Sequence, residues 1–181
     1  MVEARESKSN QDPLEFVKAL DHTTAIKILL QLCQEETIAE RVVDMAKSSL
    51  SEVDAEEIAE EVFECLNSIL VEDLWDNSGE TRYGYEDPAD VAFEMIESEV
   101  DEYVQAMLEY RQLGMKHEEK KYCQGILEGI LRYGNRGTNE FHAWAPDDPY
   151  TIANSIFKEW KSHNTEEDIN DIQAIYTSYF G

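Results

Sequence analysis

The sequence predicts an all-α protein of stacked antiparallel helical hairpins, seven or eight helices in number, in the manner of tetratricopeptide-like and α-solenoid proteins. Three observations carry that expectation. Apolar residues recur at steps of three and four, as in Ile58, Val62, Leu66 and Ile69 or Ala92, Ile96, Val100, Tyr103 and Met107, the spacing that lines one face of a helix. No comparable run alternates with the two-residue period of a half-buried strand. An Asp-Pro pair stands before three of the periodic runs, at Asp12-Pro13, Asp87-Pro88 and Asp148-Pro149. Aspartate caps the free N–H groups of a helix start and proline fits its first turn, so these pairs read as starts.

Taken in order, residues 1–11 are polar and read as a flexible N-terminal segment, followed by a single all-α domain over 12–181. Ala25, Ile28, Leu29 and Leu32, then Ile38, Val42 and Ala46, mark the core faces of the early helices. Asp54 with Glu57 and Thr165 with Asp168 resemble the reciprocal capping pattern of helix N-termini. The longest helix is expected over 88–113, turning at Gly114 into a second over 115–133 that closes at Gly134, which makes a central hairpin over 88–133. Its first arm carries Glu94, Glu97, Glu99, Asp101 and Glu102, and its second Lys116, Lys120, Lys121 and Arg132. Ion pairs across the hairpin are therefore expected, each worth about 0.2–1 kcal/mol where exposed. Gly125 and Gly129 lie four apart in the second arm and cost roughly 1 kcal/mol each relative to alanine. Another backbone is expected to pass close to that face, either within the chain or from a second copy in a homodimer. Ile126, Leu127, Ile130 and Leu131, then Ile152, Ile156 and Trp160, then Ile169, Ile172, Tyr176 and Tyr179 complete the apolar stripes.

Charge narrows the function classes. Forty acidic against fifteen basic residues give a formal net charge of −25, and residues 51–109 hold twenty carboxylates against one base, Arg82. Such a field repels nucleic acid backbones and anionic membrane surfaces. Neither is an expected partner, and a protein with a basic surface is. With 42% hydrophobic residues the composition is that of a folded protein. The longest apolar runs fall short of a membrane span and the polar start lacks a secretory signal, so a cytoplasmic location is expected. Cys33, Cys65 and Cys123 lie far apart with no Cys-x-x-Cys pair, and read as small, reduced core residues.

Two irregular stretches hold the residues most able to recognise something. Residues 74–88, LWDNSGETRYGYEDP, combine Trp75, Tyr83 and Tyr85 with Arg82. Aromatic residues and arginine dominate binding hot spots, so Trp75, Arg82, Tyr83 and Tyr85 are assigned as partner-binding residues. Gly79 and Gly84 lack the lysine of a phosphate-binding loop. The second stretch, 134–149, holds His142 and Trp144. An alternative reading places an enzyme or metal-dependent site near Asp76, Arg82, His142 and Asp147, although no nucleophile adjoins His142. A further alternative is a nucleic-acid mimic, against which helical periodicity spreads the carboxylates over several faces. The di-iron Glu-x-x-His pattern does not occur, and His117-Glu118-Glu119-Lys120-Lys121 puts lysine where a zinc-protease helix needs its second histidine. Glu94, Glu97 and Asp101 read as a solvated face. No catalytic, cofactor-binding or metal-binding residue is assigned, and no cofactor is expected.

Residues 74–88, the long helix ending in YRQLG and the following KYCQGILEGILRYG together resemble a helical region of prokaryotic proteins that carry a SWIM zinc finger. The resemblance covers roughly residues 69–149. The finger's own Cys-x-Cys and Cys-x-His pairs are absent, so zinc binding and any nucleic-acid role tied to it do not carry over. What the resemblance implies is a helical module for protein contacts.

Overall fold

Asp12 accepts the amide of Leu14 and opens α1 (Pro13–Lys18) in the computed structural model, which describes residues 12–82 and 84–179. Asp21 caps α2 (His22–Leu32) through the amide of Thr24, and α3 (Glu36–Leu50) follows. None of the three buries a residue. The chain divides at this point into two compact units, Met1–Leu50 and Ser51–Gly181, where the sequence reading drew no boundary. The apolar spacing of the first unit predicts a core that the structure does not show: Ile28, Leu29 and Leu32 stay exposed, and Ile38 and Val42 only half-buried. Periodicity reports which face could be buried, and burial needs a neighbour to cover it. The expected N-terminal segment 1–11, and Tyr83, lie outside the described residues.

The second unit contains α4 (Ala55–Asn67), α5 (Val71–Asn77), β1 (Gly79–Thr81), β2 (Gly84–Glu86), α6 (Pro88–Gln112), α7 (Lys116–Arg136), a 3₁₀ turn (Glu140–Ala143), α8 (Asp148–Lys161) and α9 (Glu166–Ser178). The described residues thus form an all-α fold of nine α-helices, two of them short, with one small hairpin. Helix α7 lies at its centre, with α4, α6, α8 and α9 packed around it. Ile126, Leu127, Ile130 and Leu131 are all at most 1% exposed, and the stripe Ile58, Val62, Leu66 on α4 meets them.

The glycines of α7 show why α4 comes so near. A Cβ on Gly125 would stand 2.7 Å from the Ala55 carbonyl and Ile58 Cβ, and one on Gly129 would stand 2.6 Å from Val62 Cβ. The close backbone expected at this face is α4 of the same chain. Two glycines cost about 2 kcal/mol in helix propensity, while burying Ile58, Val62 and Leu66 contributes roughly 1.5–3 kcal/mol each. Packing wins.

Two capping expectations change. Gly114, at φ +69, does close α6, but Gly134 is an interior residue of α7, which runs on to Arg136. Gly134 is small because a Cβ there would meet the Tyr150 ring at 3.0 Å. At α8 the N-cap is Asp147, whose side chain makes no capping bond, and Asp148 already sits in the first turn. The cross-hairpin ion pairs also differ. Lys120 reaches Asp168 and Asp171 on α9 (3.0 and 2.6 Å), Arg132 reaches Glu56 and Glu60 on α4, and Lys121 donates to the Val53 carbonyl. Between α6 and α7 the pair is Arg111 with Glu119, of opposite polarity to that expected, and Arg111 also binds Glu159 on α8. A helix at the centre of a bundle sends its cations in every direction, so the acids of α6 do not claim them.

Candidate interaction site

The stretch 74–88, expected to be irregular, is ordered by a short helix and a hairpin. Leu74 of α5 is fully buried and fixes the helix against the body of the unit. Trp75, the next residue, consequently points outward and is 44% exposed. β1 and β2 pair antiparallel with Gly79 opposite Glu86, Glu80 opposite Tyr85 and Thr81 opposite Gly84. Gly79 (φ +89) and Gly84 (φ +143) occupy backbone conformations that side chains resist, which is what the two glycines are for. The hairpin presents Arg82 at its tip and leaves Tyr85 68% exposed.

The second stretch comes to the first. Trp144 lies edge-on to Trp75, with ring centroids 4.5 Å apart and planes at 86°, and is itself 49% exposed. Asn139 builds this junction. Its amide nitrogen donates to the carbonyls of Leu66 and Ile69, just before α5, while its oxygen accepts from the Tyr133 hydroxyl and from the His142 amide that starts the 3₁₀ turn. Asn67 adds a bond from the Thr138 amide. Sequence reasoning missed Asn139. An asparagine followed by Glu140 and Phe141 is a capping signal that would have found it.

The residues of the alternative catalytic reading take separate roles. His142 bonds Gly134 through Nε2 at 3.1 Å and stacks edge-on against Tyr133 at 5.1 Å. Asp76 is exposed on α5 and Asp147 exposed before α8, and among the described residues His142 makes no hydrogen bond to either. Among the described residues no three His, Cys, Asp or Glu side chains are grouped as a metal would require. Cys123 is buried, whereas Cys33 and Cys65 are only half-buried. Burial and the neighbouring Glu99 carboxylate push the Cys65 thiol up to about 12, so it is protonated and unreactive at neutral pH.

Next to the hairpin runs a groove of about 450 Å³ lined by Asn77, Glu86, Val91, Glu94, Met95 and Ser98. The lining sets two carboxylates beside Val91 and Met95. That combination suits a long basic side chain, whose stem is apolar and whose tip is charged. Elsewhere on α6 and α7, burial first, with smaller contributions from neighbours including Glu61 and Glu102, pushes Tyr103 and Tyr122 upward, Tyr103 to about 12. No protein-family model, curated protein or solved structure matches this chain. Among the described residues no helix is long and apolar enough to cross a membrane.

Proposed function

We propose that the chain is an acidic helical interaction module that binds a basic segment of a partner protein at the surface formed by Trp75, Trp144, Tyr85, Arg82 and the adjoining groove. The observation that carries this reading is the Trp75–Trp144 pair, two indoles drawn from distant parts of the chain and left half-exposed. Burying them against a partner would contribute several kcal/mol. Glu86 and Glu94 supply sites for a lysine or arginine in the groove, and aromatic faces attract the same cations. The excess of carboxylates over residues 51–109 steers a basic partner in. Tyr83, assigned to this surface from the sequence, remains part of the proposal. So does the scaffold role suggested by the tetratricopeptide-like pattern and by the likeness to a SWIM-associated helical region, together with action in the cytoplasm. An alternative enzymatic site draws no support from His142, whose ring nitrogen is engaged by a backbone carbonyl.

The test is a titration with a lysine- and arginine-rich peptide carrying interspersed leucines. Binding should be micromolar and should weaken with added salt. Replacing Trp75, Arg82 and Tyr85 by alanine should weaken it at least about tenfold with circular dichroism unchanged. Equal binding by the variant would remove this surface from the account.

A further inference from the structure

The two half-exposed indoles have a geometry that selects among basic side chains. Trp75 and Trp144 stand with their planes at 86° and their centroids 4.5 Å apart, so the edge of one ring meets part of the other's face and the pair forms a corner walled by two aromatic faces. The residues are 44% and 49% exposed, and part of each ring is open to a ligand. An aromatic face carries the negative end of the ring quadrupole, and a cation seated in the corner comes within the roughly 6 Å over which both rings attract it. The corner is formed before anything binds. Leu74 beside Trp75 is fully buried, Ala145 beside Trp144 is 2% exposed, and Asn139 ties the 3₁₀ turn to the carbonyls of Leu66 and Ile69 ahead of α5. Binding to such a preformed site costs little in ordering.

Charge along the two segments that supply the corner has one sign. Residues 71–81 and 137–149 hold seven acids and no lysine or arginine. Glu72 and Asp76 are exposed near Trp75 on α5, and Glu140 and Asp147 are exposed before and after Trp144 in the chain. The ion that suits the corner is therefore a cation, and which cation follows from what the walls lack. An indole has one N–H donor and no acceptor, so the three N–H donors of an unmodified lysine lose water there and gain no partner. A guanidinium is planar and stacks on one face, which leaves the second wall unused. A trimethylated ammonium keeps its charge, has no N–H to satisfy, and presents methyl groups to both rings. We propose that the Trp75–Trp144 corner receives a trimethylated lysine in the partner's basic segment. The proposal rests on the basic-partner reading above and narrows it. The groove that begins at Asn77, two residues beyond Trp75, takes a neighbouring unmodified base of the same segment, which favours a peptide over a free quaternary ammonium ion.

Three versions of the lysine- and arginine-rich peptide test it on the full chain, identical except at one central lysine: unmodified, trimethylated, or replaced by the neutral isostere in which a tert-butyl group stands for the trimethylammonium. The trimethylated peptide should bind about tenfold tighter than either of the others. Trp75→Leu and Trp144→Leu each keep apolar bulk at an exposed position and remove one wall. Either should bring the three affinities within about twofold with circular dichroism unchanged. The chain has three tryptophans, and the trimethylated peptide should move the indole N–H resonances of Trp75 and Trp144 while that of the buried Trp160 stays in place. A trimethylated peptide no tighter than the unmodified one or the neutral isostere, a preference that survives either leucine variant, or unmoved Trp75 and Trp144 resonances would overturn the proposal. Where the unmodified peptide still binds, the basic-partner reading stands; binding by none of the three peptides overturns both. Tighter binding to phosphatidylcholine vesicles than to the trimethylated peptide would also overturn it, in favour of a lipid headgroup.

Discussion

Single residues decide how near the elements of this protein come to one another. Gly129 is the sharpest case, because alanine there gains about 1 kcal/mol of helix propensity yet places a methyl 2.7 Å from the Ala59 carbonyl and 2.6 Å from Val62 Cβ. Overpacking costs about 1–3 kcal/mol, and the backbone atom cannot step aside as a flexible side chain would. Gly129→Ala should therefore lower thermal stability by up to about 2 kcal/mol net, read as a fall in Tm and in the denaturant midpoint. The need for a close backbone was legible in the spacing of Gly125 and Gly129; its source, α4, was not, since a glycine pair says nothing about which chain approaches. Trp75 was legible as an exposed aromatic, but its contact with Trp144 was not. Some seventy residues separate the two, and the asparagine that joins their segments acts through backbone carbonyls that sequence does not mark.

Among the elements, α7 organises the second unit and distributes its cations to the helices around it. Lys120 illustrates this: it holds Asp168 and Asp171 of α9 with its side chain only 22% exposed, and both carboxylates raise its proton affinity. Lys120→Ala should loosen α9 while leaving α4 and α6 in place, which hydrogen exchange would register as faster exchange confined to 166–178. Equal exchange in both proteins would mean that Ile172 and the half-buried Tyr176 hold α9 without the ion pairs. The stripes on α4, α6, α7 and α8 were legible because a 3.6-residue period recurs over three turns or more. β1 and β2 were not, because three residues are too few to show an alternation, and only the flanking glycines hinted at a turn. The helices of the first unit have the stripes without the burial.

At the scale of the whole molecule, buried and half-buried protonated groups set an alkaline limit. Cys65 is pushed up to about 12 from an ordinary 9, and Tyr103 and Tyr133 to about 12 from 10, in each case chiefly by burial. The unfolded chain therefore sheds these protons first, and the stability they contribute is complete below pH 9 and lost as pH rises toward 12. Thermal denaturation scanned over that range should show Tm falling steadily from about pH 9. The net charge of −25 was legible from composition alone and bears on partner choice more than on fold. The central claim is that the Trp75–Trp144 surface and its neighbouring groove receive a basic segment. Hydrogen exchange in the presence of the lysine- and arginine-rich peptide measures that most directly. The account predicts protection concentrated in α5, the β1–β2 hairpin and residues 139–144; peptide binding that protects α8 and α9 instead, or leaves residues 71–86 unchanged, would contradict it.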